Sequence, residues 1–190
     1  MAIVEGHGET TAFPALVRKI FREQYPHVAL DMPTPIRVSR SKFVADGSEQ
    51  DRTLRLAAQK AGEDGFLLLL LDADDDCPVE LSAQLRVELR SHRSDLAVSI
   101  VLAKREFESW FLPAAAALGI CAAEEVPADC EAIAGAKEWI KARRGRYSPT
   151  VDQTSFAARL PLEAASRSPS FRKLLRELDR IVAQLSEPTP

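Results

Sequence analysis

The densest chemistry in the chain lies at Asp72-Ala73-Asp74-Asp75-Asp76, where four carboxylates fall within five residues directly after the apolar run Phe66–Leu71. Like charges this close repel strongly wherever water is partly excluded. A divalent cation would offset that repulsion, and hard oxygen donors suit Mg²⁺ or Mn²⁺. The alternation of Asp72 and Asp74 lets both side chains project to one side as the chain leaves a strand. Acidic groups recur at two comparable points. Glu5 closes the run Ala2-Ile3-Val4 and precedes Gly6, which allows close backbone approach, and Glu9 follows four residues on. Glu106 and Glu108 follow the Val- and Ile-rich run 96–102. A plainer account has the aspartates capping the helix that Pro78 opens. Carboxylates at three separated strand ends weigh against it.

Other sites fit less well. An EF-hand loop starting at Asp72 needs glycine at its sixth position and glutamate at its twelfth, and Cys77 and Ala83 stand there. Gly6-His7-Gly8 is not a dinucleotide fingerprint, and no GxxxxGK[ST] loop exists. Cys77, Cys121 and Cys130 form no CxxC pair and no zinc pattern, so a reducing cytoplasm is the compartment expected.

The elements that must position these groups follow from periodicity. Residues 2–5 read as a strand, and the apolar spacing of Phe13, Leu16, Val17, Ile20 and Phe21 predicts a helix over 11–24. Residues 35–38 read as a second strand and 48–61 as a second helix. The unbroken run Phe66–Leu71 has the character of a strand covered on both faces. A helix from Pro78 to His92, a strand over 96–102 and a helix opening at Glu106 continue the alternation. That order predicts an α/β fold with a mostly parallel four-stranded sheet flanked by helices. Strand signals stop near residue 120, and helices are expected over Glu131–Arg144 and Ser170–Leu185, with a frayed end at 187–190. The expected organisation is an α/β unit over 1–120 with a helical extension over 121–190. Ligands of open parallel sheets bind outside the carboxyl ends of the strands, where the acidic residues fall.

Composition narrows the class. The 190 residues are 46% hydrophobic and 28% charged, ordinary for a folded domain, and no apolar run is long enough to span a bilayer. The net charge of −3 argues against a protein that coats nucleic acid by bulk electrostatics. It conceals an asymmetry, however. Residues 1–130 carry 14 basic and 21 acidic side chains, whereas residues 131–190 carry 11 and 7.

An apolar strand ending in Val4-Glu5-Gly6, followed by one ending in Leu71-Asp72-Ala73-Asp74, resembles the Toprim domain of topoisomerases, bacterial primases and OLD-type nucleases. More closely, the chain resembles the Toprim-related bacterial family Domain of Unknown Function 4276. Val4-Glu5-Gly6-His7-Gly8-Glu9, Leu71 through Cys77, and Glu106-Phe107-Glu108-Ser109-Trp110-Phe111 carry that match, with a weaker stretch at Arg146-Tyr147-Ser148-Pro149 and 168–171. The sequence departs from the family pattern at Gly8, where threonine is common. The resemblance implies a Toprim-like fold, a catalytic Glu5 and Mg²⁺- or Mn²⁺-binding carboxylates at Asp72 and Asp74. Glu9 and Asp76 would help hold a second metal, and Glu108 would be a further ligand. Some members of the family are encoded beside ATPases of the kind found in phage-defence systems, which implies an ATPase partner in trans.

The activity expected is metal-dependent phosphodiester cleavage in DNA or RNA. Lys104 and Arg105 would neutralise developing phosphate charge. Lys137, Lys141, Arg143, Arg144 and Arg146 would track a phosphate backbone. Two other functions share the same residues: a non-catalytic metal-binding subunit of an ATPase complex, and a small-molecule phosphotransferase or phosphatase.

Overall fold

The fold is that of a computed structural model, which describes residues 1–62 and 65–186; the frayed end expected at 187–190 lies outside the described residues. Four strands, β1 (Ala2–Val4), β2 (Ile36–Arg37), β3 (Leu67–Asp72) and β4 (Val98–Ala103), form one sheet in the order β2-β1-β3-β4, with every pair parallel. The α/β expectation holds.

Period-two alternation splits the strand side chains between two cores. Ala2, Val4, Leu68, Leu70, Val101 and Ala103 face one side. Met1, Ile3, Leu67, Leu69, Leu71, Ile100 and Leu102 face the other. Helices cover both sides, which is why β3 tolerates five consecutive leucines, all buried. The second face is covered by α2 (Arg40–Ala45), α3 (Gly47–Ala61) and α4 (Pro78–His92), through Phe43, Leu54, Ala57, Leu81, Leu85 and Leu89. Asp46 caps α3 by accepting from the Ser48 amide at 2.9 Å, and Pro78 opens α4 where its missing N–H costs nothing.

The first face carries the larger core. It takes in α1 (Glu9–Gln24), a 3-10 helix (Phe107–Ala114), α5 (Ala136–Arg144), α6 (Pro149–Arg159), α7 (Leu162–Ala165) and α8 (Pro169–Ser186). Its centre is an aromatic cluster. Phe107 packs on Trp110 and Phe111, Trp110 on Phe171, and Phe111 on Phe156. The Trp110 indole N–H donates to Ser170 Oγ at 2.7 Å, so this ring is structural. Residues from 2 to 182 share this core.

Three expectations change. The segment opening at Glu106 is a 3-10 helix, not an α-helix. All eight of its residues are buried and Pro113 lies inside it, so it has no polar face to give a helical period. The helix expected over Glu131–Arg144 begins only at Ala136. Gly135 turns left-handed at φ 73°, and the Glu131 carboxylate reaches away to accept the Ser170 amide at 2.8 Å, at the start of α8. Helices α2, α6 and α7 are additional to the expected set. α6 buries only Gln153, Phe156 and Ala157, too few apolar positions to show a period. Among the described residues, no helix is long and apolar enough to cross a membrane.

Leu69 sits in the central strand between Ile3 and Ile100 and is fully buried. Leu69→Ala should lower the unfolding free energy by about 2–5 kcal/mol in urea titration. Val87→Ala, at a position 71% exposed, should change it by less than about 0.5 kcal/mol.

Candidate functional site

The strand ends deliver their carboxylates to one place. Glu5 follows β1, Asp72 is the last residue of β3, Glu9 opens α1, and Glu108 lies in the 3-10 helix that follows β4. Glu9, Asp72 and Glu108 are buried, and Glu5 is half-buried. One oxygen of three of these groups is fixed by the chain itself. Glu9 Oε2 accepts the Glu5 amide at 3.2 Å, and Asp72 Oδ1 accepts the Phe107 amide at 2.8 Å. Glu108 Oε1 accepts the Tyr147 hydroxyl at 3.0 Å and the Gln153 amide at 2.7 Å. Glu5 Oε2 and Glu108 Oε2 are buried without a hydrogen-bond partner among the described residues.

Two glycines make the crowding sterically feasible. A Cβ on Gly6 would stand 2.5 Å from Glu9 Oε1, so any larger residue would push the Glu9 carboxylate out of place. A Cβ on Gly8 would stand 2.0 Å from Gln153 Oε1 and 2.6 Å from the Pro149 carbonyl. Gly8 therefore lets α6 close on the start of α1, where Thr11 and Thr154 hydroxyls meet at 2.7 Å. Any side chain at this position would collide with α6.

The electrostatics follow from the geometry. Burial raises Asp72 well above the ordinary aspartate range, and the charges of Glu9, Glu108 and Glu5 push in the same direction. Burial lifts Glu9 to about 7, with Glu108 and Glu5 adding to the shift. Glu5 is raised by burial and by Asp74, and Glu108 by burial and Glu106. The opposing charge is Lys137, the second residue of α5. Its Nζ lies 2.9 Å from Glu106 Oε2 and 3.3 Å from Glu108 Oε2. Burial pulls its proton affinity down, but Glu108 and Glu106 outweigh that and raise it. Glu106 also accepts the Ala136 and Lys137 amides, which fixes the start of α5 against the site.

The remaining acidic residues lie outward. Asp74, left-handed at φ 48°, pairs with Arg40 at 3.3 Å and is largely exposed. Asp76 pairs with Arg40 as well, and Asp75 with Arg105. Asp72, Asp74, Asp75, Arg105, Glu106, Gly135, Lys137 and Glu138 line an open cavity of about 460 Å³, and Asp72 belongs both to that lining and to the carboxylate group. Among the described residues, no group of three or more His, Cys, Asp or Glu is arranged to hold a metal ion as the side chains stand. The donor chemistry nevertheless suits one: four buried or half-buried carboxylates whose ionisation is opposed by burial, with Glu5 Oε2 left without a partner among the described residues.

The sequence model of one family, described as a domain of unknown function, matches residues 4–179. The chain belongs to that family, DUF4276. The matched span contains every carboxylate of the site together with Lys137, Tyr147 and Gln153. No curated protein and no solved structure matches this DUF4276 chain.

The other expected residues divide. Lys104 is partly buried, with its Nζ 3.4 Å from the Asp76 carbonyl, outside the carboxylate cluster. Arg143 lies over the Trp139 ring at 3.8 Å, and Arg144 is tied to Asp152 at 2.5 Å. Lys141 and Arg146 are exposed. Gln153 and Arg40 carry no functional expectation from sequence, whereas Glu106 is expected among the strand-end acidic groups. Lys137, expected to track a phosphate backbone, instead faces the carboxylates.

The four raised carboxyl groups have one consequence for stability. The folded DUF4276 chain binds these protons more tightly than the unfolded chain, so stability from them is present below the ordinary carboxyl range and lost as pH rises toward the folded values. For Glu9 that window runs from 4.5 to about 7. Without divalent cations, urea midpoints should fall across this window, and Glu9→Gln should flatten the fall. A wild-type midpoint that rises through the same window would contradict the arrangement.

Proposed function

We propose that this chain is a divalent-metal-dependent phosphodiesterase that cleaves nucleic acid at the carboxylate cluster. The observation that carries the reading is the convergence of Glu5, Glu9, Asp72 and Glu108 at the carboxyl edge of a parallel sheet, where burial raises the proton affinity of all four and Glu9, Glu108 and Glu5 raise that of Asp72 further. The order of the strand-end carboxylates resembles that of Toprim domains, which supports the same chemistry. Mg²⁺ or Mn²⁺ would be held by Asp72, Glu9, Glu108 and Glu5, with Asp74 and Asp76 available nearby once released from Arg40, and would supply charge stabilisation to a phosphate and acidity to a bound water.

The residues of the chain have separate tasks. Glu5, half-buried with one oxygen unpartnered, is placed to accept a proton from an attacking water. Tyr147 and Gln153 hold Glu108 in a fixed orientation. Lys137 and Arg105 line the cavity and offer positive charge to a phosphate that enters it. Lys141 and Arg146 lie on or just beyond the helix that carries Lys137 and extend the positive charge along a backbone. The reading includes an ATPase partner in trans as a source of specificity.

Asp72→Asn keeps an acceptor for the Phe107 amide, and Glu5→Gln keeps the shape of the side chain, so both variants should fold. With Mn²⁺ or Mg²⁺, the wild-type chain should cut plasmid DNA or single-stranded RNA, and chelation should stop it. Both variants should cut at least about 100-fold more slowly. Cleavage by Asp72→Asn at the wild-type rate would overturn the reading. So would metal binding without cleavage by the wild-type chain in the presence of a neighbouring ATPase, an outcome that favours a regulatory subunit.

A further inference from the structure

One basic side chain stands against the buried carboxylates. Among the described residues, Lys137 alone is in ion-pair contact with any of Glu5, Glu9, Asp72 and Glu108. Its Nζ sits 2.9 Å from Glu106 Oε2 and 3.3 Å from Glu108 Oε2. These are the oxygens that the rest of the chain leaves free. Glu108 Oε1 is taken by Tyr147 and Gln153, and Glu106 Oε1 by the Ala136 and Lys137 amides. An ammonium therefore rests where carboxylate oxygens from two side chains converge, in a cavity whose lining includes Asp72.

The two parts of Lys137 are held differently. Its backbone is fixed, because Glu106 accepts its amide at the start of α5. Its side chain is 36% exposed and lines the open cavity together with Asp72, Asp74 and Arg105. A lysine stem is flexible enough to turn outward without moving its helix. A divalent cation and an ammonium repel each other strongly at contact distance, so both cannot rest on Glu108 Oε2.

We propose that Lys137 is an exchangeable occupant of the cation position. Its ammonium neutralises Glu106 and Glu108 in the metal-free chain, and it leaves them for the cavity beside Arg105 when a divalent cation binds. The exchange keeps the buried carboxylates paired with positive charge throughout, since a buried charge left alone is costly. It also frees Glu108 Oε2 as a ligand. Lys137 turns toward an incoming phosphate only after it has left Glu106 and Glu108, so cation binding precedes phosphate binding. The inference rests on the cation site of the phosphodiesterase reading and adds that order to it.

Acetylation of each lysine by N-hydroxysuccinimide acetate, read by mass spectrometry with and without Mn²⁺, follows the exchange in the wild-type chain. Lys137 should react at least about threefold faster at saturating Mn²⁺, because the cation shifts the population toward the outward side chain. Exposed Lys60, near the end of α3, should react at an unchanged rate. In isothermal titration calorimetry, Lys137→Met should bind Mn²⁺ about tenfold more tightly than the wild-type chain, because no occupant has to leave first. Unchanged labelling of Lys137 at saturating Mn²⁺ would overturn the proposal and leave the cleavage reading standing. So would equal or weaker Mn²⁺ binding by folded Lys137→Met. Absence of Mn²⁺ binding in both chains would overturn the proposal and the cleavage reading together.

Discussion

Burial raises the proton affinity of Glu5, Glu9, Asp72 and Glu108 at the carboxyl edge of the sheet, the charges of Glu5 and Glu108 add to it at Glu9 and Asp72, and Lys137 is the cation set against them. Burial and like charge both penalise this arrangement, so the chain must hold it by other means. Each means is identifiable: amides of Glu5 and Phe107 turned toward carboxylate oxygens, Tyr147 and Gln153 on Glu108, and the start of α5 fixed by Glu106. Much of the C-terminal third serves these contacts. α5 brings Lys137, the loop after it brings Tyr147, and α6 brings Gln153, while α8 completes the core behind Trp110. An arrangement that costs stability and is held by several separate elements is the kind usually retained for function.

The outer aspartates play a different part. Asp74, Asp75 and Asp76 are exposed and neutralised by Arg40 and Arg105, so their charge weighs little on the fold. Asp74 and Asp75 line the open cavity together with the buried Asp72, and Asp76 lies outside it. The four aspartates that look equivalent in sequence thus differ in burial and partners, and Asp72 is the one whose surroundings set it apart.

Much of the α/β unit was legible because its physics is local. Five leucines in a row, alternating cores and Pro78 at a helix start each leave a mark within a few residues. The carboxylates were legible as well, since strand ends in a parallel sheet must share an edge. Gln153 and the role of Lys137 were not. Both lie far from the acidic motifs in sequence, and a glutamine or a lysine on a helix carries no signal until the partner it faces is known. Gly8 could be recognised as a departure but not explained, because the atoms that crowd it belong to α6. The helix expected at Glu131 failed for a similar reason: the side chain that would have started it instead serves the first turn of α8.

The proposed cation site is the buried carboxylates rather than the exposed aspartates, and anomalous scattering from crystals grown with Mn²⁺ distinguishes the two. A peak is expected within coordination distance of Asp72 and Glu9 and beside Glu108, with Lys137 displaced from it. A saturated crystal whose peak lies only among Asp74, Asp75 and Asp76, or that shows none at the buried group, would contradict it.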